Sequence, residues 1–187
     1  MRIFLCGAQG VGKSTLATSL SADYGLEIKD SYSKGFLEKN PEIQNSASIG
    51  YNEFQDKILL YCLSQYVNDK DFISSRSIID SFAYLAACNS DNKIILTNFI
   101  NHFSEYVTTK DCIYIYIPIE FGITDGNNSL RNTDSQFQKT VDEEMQRYFN
   151  KLKKGPSEAA FHILSGTREE RLQGLKQIII NKWGEDV

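Results

Sequence analysis

The stretch R-I-F-L-C-G-A-Q-G-V-G-K-S-T-L-A-T-S-L, residues 2–20, decides how the rest of this chain is read. Ile3, Phe4 and Leu5 predict a buried strand, and Leu16, Ala17 and Leu20 recur after it at helical spacing. Between the two, Gly7, Gly10, Gly12, Lys13 and Ser14 fit G-x-x-x-x-G-K-[ST], the pattern of a loop that cradles phosphates. A chain leaving a strand can wrap a polyphosphate with successive N–H groups, and glycine tolerates both the positive φ and the close approach this needs. The helix starting near Lys13 turns its positive end toward the same anion. Ala8, Gln9 and Val11 complete the loop. Lys13 is expected to reach the β and γ phosphates of ATP, and the Ser14 hydroxyl to ligate Mg²⁺, with Thr15 as a weaker second contact.

Outward from this stretch, strands alternate with helices. Helix one runs over 13–24 and ends at Gly25 as a C′ residue; residues 26–29 form a short second strand. The polar residues Asp30, Ser31, Tyr32, Ser33 and Lys34 follow, at the carboxyl end of a strand, where open α/β sheets place ligands. A long helix is expected over 46–68 and a third strand at Phe72 and Ile73. Two further helices follow over 78–88 and 94–107, separated by the turn-prone N-S-D-N at 89–92. Residues 112–117 are the clearest strand, stopped by Pro118, and a glycine- and asparagine-rich loop occupies 121–132. A charged amphipathic helix over 134–154 buries Phe137, Val141, Met145 and Tyr148 or Phe149. A fifth strand over 159–164 and a last helix over 168–182 complete the order. The expected fold is α/β: three layers, with a five-stranded parallel sheet covered by helices on both faces.

At 187 residues the chain suits one such domain, with a lid-like segment near 121–133. A net charge of −4 argues against a sequence-wide attraction to nucleic acid or anionic membrane. Cys6, Cys62, Cys88 and Cys112 are far apart and lack zinc spacing, so they are expected as small buried residues in a reducing compartment. With no charged-then-apolar leader and no apolar run of membrane-spanning length, a soluble cytoplasmic protein is expected.

A phosphate loop leaves the reaction open, so other residues must choose it. Arg76 follows strand three where a helix begins, a place from which a guanidinium can clamp a second phosphate bidentately. Arg131 lies in the loop before the charged helix, suited to close on a transferring phosphoryl group. Taken singly, each reads first as a surface charge; together with the phosphate loop and their order along the sheet, they read as functional.

In order along the chain, G-A-Q-G-V-G-K-S-T-L-A, F-Q-D-K-I-L at Phe54, S-R-S-I-I-D-S-F-A-Y, I-Y-I-P, the D-G and L-R of 125–131, and S-G-T-R-E-E-R-L at Ser165 resemble the nucleoside and nucleotide kinase branch of the P-loop fold. Small kinases similar to ribosylnicotinamide-kinase domains and phage-type deoxynucleotide kinases are the nearest pattern. The resemblance implies that residues 7–15 hold the ATP phosphates and Mg²⁺, that Arg76 binds the substrate or its phosphate, and that Arg131 is the lid arginine. It also implies that Gly166 and Thr167 lie beside the adenine and that Gln55 meets the acceptor base, although a Gln on an amphipathic helix is usually just solvated. The chain departs from the pattern at Ser75, where such kinases carry Asp or Glu directly before the arginine. Asp30 is the candidate replacement, as a proton acceptor, and equally a turn or helix N-cap residue before 31–39. Asp80 is a third carboxylate, read chiefly as support for the first turn of its helix. His102 and His162 lack catalytic partners and are read as structural.

The expected activity is therefore transfer of the γ-phosphoryl group of Mg-ATP to a nucleotide, such as a deoxynucleoside monophosphate, or to a nucleoside. A phosphate acceptor needs no general base, so Ser75 beside Arg76 favours the monophosphate. The alternatives are a kinase acting on polynucleotide or modified-base DNA, disfavoured by the acidic charge balance, and an ATPase serving as a regulatory binding module. No guanine-selecting N-K-x-D is present, which argues against a GTP switch. Base specificity and assembly, a homodimer included, are left open.

Overall fold

The computed structural model describes residues 1–29, 32–41, 43, 51–66, 71–88, 109–121, 135–155 and 157–185. In chain order the described elements are β1 (Arg2–Cys6), α1 (Lys13–Tyr24), β2 (Glu27–Lys29), α2 (Tyr32–Lys39), α3 (Tyr51–Tyr66), β3 (Phe72–Ser74), α4 (Ile78–Cys88), β4 (Cys112–Tyr116), α5 (Ser135–Lys154), β5 (Ala160–Ile163) and α6 (Arg168–Trp183). Five strands form one sheet in the order β2-β3-β1-β4-β5, every pair parallel. Parallel neighbours require crossover helices, which is why strands and helices alternate and why the central strands are buried on both faces. All of Ile3, Phe4, Leu5 and Cys6 are fully buried.

Register builds the core. Phe4 stands opposite Tyr114, and Tyr114 opposite Phe161, so the three share one face of neighbouring strands. Their rings stack at 4.9 Å and 5.2 Å between centroids, and Phe72 meets Phe4 edge-on at 5.4 Å. Phe149 of α5 closes on this row against Phe161 at 5.3 Å. Ile3 and Leu5 point to the other face by alternation.

Of the expected stripe on α5, Val141, Met145, Tyr148 and Phe149 are buried and Phe137 is only partly so, while Gln138 and Asp142 are buried on the helix as well. Asp142 accepts from the Tyr116 hydroxyl at 2.8 Å and from Gln146, so its burial is matched by hydrogen bonds. α6 begins with a capping box, Thr167 and Glu170 each bonding the other's backbone N–H. α1 ends as expected at Gly25, whose φ is 65° and whose N–H reaches Ser21 O.

Tyr32, Ser33 and Lys34 start α2, in keeping with the reading of 31–39 as a helix. One expectation changes. Cys88 is exposed, because it ends α4, whereas Cys6 and Cys112 are buried in strands as expected. The helix expected over 94–107, the turn over 89–92 and nearly all of the lid-like segment near 121–133 lie outside the described residues, as do His102 and the side chain of Cys62. Among the described residues no helix is long and apolar enough to cross a membrane.

Replacing Phe4 by Ala removes the ring shared by β1, β3 and β4. It is expected to destabilise the fold by about 3–5 kcal/mol in urea unfolding, and a loss below about 1 kcal/mol would contradict the aromatic row as the core.

Candidate phosphate-loop site

The loop between β1 and α1 is held by its carbonyl oxygens and side chains. Lys13 Nζ donates to the carbonyls of Gly7 and Ala8, the latter at 2.8 Å. The Gln9 carbonyl accepts from Gln138 of α5 at 2.6 Å, and the Gln9 side chain accepts from the Tyr84 hydroxyl of α4 at 2.8 Å. The Val11 carbonyl accepts from Arg171 of α6 at 2.7 Å, and the Gly12 carbonyl from the Leu16 amide at 3.0 Å. Every one of these contacts takes an acceptor. Among the described residues, the amides of Gly10, Val11, Gly12 and Lys13 donate to no partner. Such a concavity of unpaired N–H groups at a helix start binds anions.

Glycine is required at Gly7 for two reasons: its φ is 153°, and a Cβ there would stand 2.5 Å from the Ile117 carbonyl oxygen. Gly12, with φ of 93°, is the left-handed N-cap that turns the chain into α1. Ser14 and Thr15 follow on the exposed side of the first turn of α1, and no hydroxyl partner is found for Ser14 among the described residues.

Beneath the loop lies a small ionic cluster. Lys13 is 8% exposed and Asp80 is 1% exposed, with Lys13 Nζ 3.7 Å from Asp80 Oδ1. Ser77 holds the other carboxylate oxygen through its N–H at 2.9 Å and its hydroxyl at 2.8 Å. Arg76, half-buried, lays its guanidinium over the Tyr84 ring at 5.2 Å and acts electrostatically on both Lys13 and Asp80. Burial brings Lys13 down from 10.5 to about 8, against the upward pull of Asp80. Burial also raises Asp80, opposed by Lys13 and Arg76, and pushes the Cys6 thiol, 3.1 Å from the Ser77 hydroxyl, well up.

At the other side, Arg171 braces the loop. Its guanidinium donates to Glu120 at 2.5 Å as well as to Val11, and Glu120 accepts the Gly166 amide at 2.8 Å. The hydrogen bond from Arg171 holds the Glu120 carboxyl below its ordinary value. The turn at Gly166 and Thr167 is thus tied to the phosphate loop through two side chains. The Gly166 amide is taken by Glu120 and the Thr167 amide by Glu170, which leaves neither N–H of this turn for a ligand.

Of the residues expected to act, the structure brings together Gly7, Ala8, Gln9, Gly10, Val11, Gly12, Lys13, Ser14 and Thr15 with Arg76, and connects Gly166 and Thr167 to them through Arg171. Asp30 and Arg131 lie outside the described residues, as do the side chains of Lys34 and Gln55. The sequence reading gave no role to Arg171, Glu120, Tyr84 or Gln138, and gave Asp80 only a helix-end role. A signal existed for two of them. Arg171 shares a helical stripe with Leu175 and Ile179, and Gln138 with Met145 and Phe149; a polar residue in an apolar stripe asks for a buried partner.

Arg171→Met removes the brace while keeping its bulk. It is expected to lower stability by about 2–3 kcal/mol and to speed amide exchange at Val11 and Gly12. Unchanged exchange in the loop would show that the brace is not what holds it.

No family model matches the sequence, and no curated protein matches it. Solved structures do. A deoxyadenosine kinase from M. mycoides, solved with dCMP and dCDP, superposes with a TM-score of 0.65 at 14% identity, covering 97% of this chain and 99% of that one. A thymidylate kinase from Candida albicans gives 0.67 at 19% identity, covering 98% and 92%. A shikimate kinase from Aquifex aeolicus gives 0.58 at 18% identity, covering 98% and 99%. Those likenesses extend over nearly the whole chain, and they show that it has the fold of the P-loop nucleotide kinases.

Proposed function

We propose that the chain is an ATP-dependent phosphotransferase that moves the γ-phosphoryl group of Mg-ATP to a nucleotide, a deoxynucleoside monophosphate being the favoured acceptor, or to a nucleoside. The observation that carries this reading is the phosphate loop itself: its carbonyls are engaged from behind, its amides at 10–13 are unpaired among the described residues, and a buried lysine stands within it. Phosphoryl transfer asks little covalent chemistry of a protein and much positioning and charge neutralisation. Lys13 and Arg76 supply two positive charges against the single carboxylate of Asp80, so the cluster is net positive where a phosphate tail enters.

The donor set fits Mg²⁺ bound mainly through nucleotide phosphates. Among the described residues no cluster of His, Cys, Asp or Glu could hold a metal alone, while the exposed Ser14 hydroxyl stands beside the loop. Ser14 would hold the ion, which neutralises charge on the phosphates when bound. In the reading proposed here, Lys13 exchanges its contacts with the Gly7 and Ala8 carbonyls for the phosphate oxygens. Arg76 steadies the acceptor phosphate, and Arg131 closes from the lid-like segment near 121–133. Gly166 and Thr167 border the adenine, with Lys34 and Gln55 on the acceptor side. A serine at position 75 supports an acceptor that is already a nucleophile; a hydroxyl acceptor would call on Asp30 to take its proton.

ATP consumption measured in parallel against nucleosides, deoxynucleoside monophosphates and DNA tests the reading. Phosphate should appear on free nucleotides, faster on monophosphates; label on DNA would make the protein a polynucleotide kinase, and ADP with inorganic phosphate alone would make it an ATPase module. Lys13→Ala should lower kcat/KM by about 10²–10³-fold. Since Lys13 titrates near 8 in the free protein and keeps its proton once bound to phosphate, Mg-ATP affinity should be flat from about pH 6.5 to about pH 7.5. Above pH 8 affinity should weaken by up to about tenfold per unit. A flat profile through pH 9 would remove Lys13 from the phosphate contact.

A further inference from the structure

A buried carboxylate that only caps a helix needs one oxygen. Asp80 uses one, Oδ2, for the Ser77 N–H and hydroxyl, and this completes a reciprocal cap in which the Ser77 hydroxyl also accepts the Ile79 amide at 3.1 Å. The second oxygen, Oδ1, is buried and receives no hydrogen bond among the described residues. A side chain doing nothing but capping gains by leaving that oxygen in water, because burying an unmatched acceptor is unfavourable. Here Oδ1 faces the Lys13 ammonium at 3.7 Å, too long for a hydrogen bond and short enough for strong attraction at this depth.

We propose that Asp80 is the positioning residue of this site: anchored by Ser77, its free oxygen fixes where the Lys13 ammonium stands and keeps it available to a phosphate. It does so from the first turn of α4, in place of a carboxylate at position 75, where Ser75 is buried instead. The contact is loose enough to release. Two Lys13 protons go to carbonyls of the loop, and the third faces a carboxylate with no competing hydrogen-bond donor among the described residues. A polyphosphate in the loop can therefore draw the ammonium toward itself without stripping a formed hydrogen bond from Asp80. The titratable groups facing the pair are Cys6 from β1, Arg76 from the β3–α4 turn and Tyr84 from α4. Of the groups on α5, which packs on α4, Asp142 is engaged by Tyr116 and Gln146, and Tyr148 by Arg147. Without Asp80, the buried Lys13 ammonium would lose the one carboxylate that stands within 4 Å of it among the described residues, and burial then favours the neutral amine.

The consequence for turnover rests on the phosphotransferase reading; the placement of Lys13 does not, and the experiment separates them. Lysine labelled with ¹³C at Cε is titrated by NMR in the nucleotide-free protein, the Lys13 signal being assigned by its absence from Lys13→Ala. In Asp80→Asn, which matches the shape of the native side chain, Lys13 should titrate at least about one unit lower than in the native protein, a tenfold shift of its proton equilibrium. A kcat/KM for Mg-ATP about fivefold lower at pH 8, recovered toward acid pH where the free lysine regains its proton, should accompany it. Ser77→Ala, which weakens the cap but leaves the carboxylate, should move the Lys13 titration less than Asp80→Asn does. If Asp80→Asn leaves the titration where it was, Asp80 is a helix cap and the proposal is overturned; equal shifts in the two variants overturn it as well. Should Asp80→Asn not fold, Asp80→Glu is read the same way, since its longer arm cannot keep the Ser77 cap and the same distance to Lys13: an unmoved titration overturns the proposal. Native protein that turns over no acceptor would refute the phosphotransferase reading while the titration still decides the role of Asp80.

Discussion

The site depends on which atoms of the loop over residues 7–13 are already satisfied. A backbone carbonyl that meets a donor from the protein has its orientation fixed, and the peptide plane then fixes the amide on its other side. Here Lys13, Gln138, Arg171 and the start of α1 take the carbonyls of Gly7, Ala8, Gln9, Val11 and Gly12. The anion cradle is therefore prepared before any anion arrives, and binding needs little reorganisation of the loop. Four elements contribute to that preparation, namely α1, α4, α5 and α6, and they can converge on the loop because β1, which it follows, is the central strand of the sheet.

The same arrangement concentrates charge where water is scarce. A lysine with 8% exposure would lose its proton readily, and burial does bring it down to about 8. What keeps it a cation at neutral pH is the carboxylate of Asp80 beneath it, itself held by Ser77 at the first turn of α4. The loop, the lysine and the capped helix start are thus one unit, placed at the carboxyl ends of the neighbouring strands β1 and β3. The Arg171–Glu120–Gly166 bridge couples a second region, the β5–α6 turn, to the same backbone.

Much of this was legible in the sequence because it depends on local signals. The loop pattern, the apolar strands and the glycine at position 25 each state their structure within a few residues, and the five parallel strands and the bounds of α4 follow from them. Contacts between residues far apart in the chain were not legible: Gln138 reaches Gln9 across 129 positions and Arg171 reaches Val11 across 160. Nothing local in R-E-E-R-L distinguishes Arg171 from its neighbours except its place on the stripe with Leu175 and Ile179. Asp80 was read as a helix-start residue, which it is; its second oxygen acquires a partner only when α4 is laid beside the phosphate loop. Cys88 was misjudged because a cysteine at a helix end carries no sign of which side meets solvent.

The most direct measurement is a titration of the ¹⁵N-labelled protein with inorganic triphosphate and Mg²⁺, following backbone amides by NMR. If the unpaired amides are the grip, the largest downfield shifts fall on Gly10, Val11, Gly12 and Lys13, with the Lys13 side-chain ammonium slowing its exchange in step. Shifts confined to other parts of the chain, or none at saturating triphosphate, would contradict a phosphate-binding loop and the account built on it.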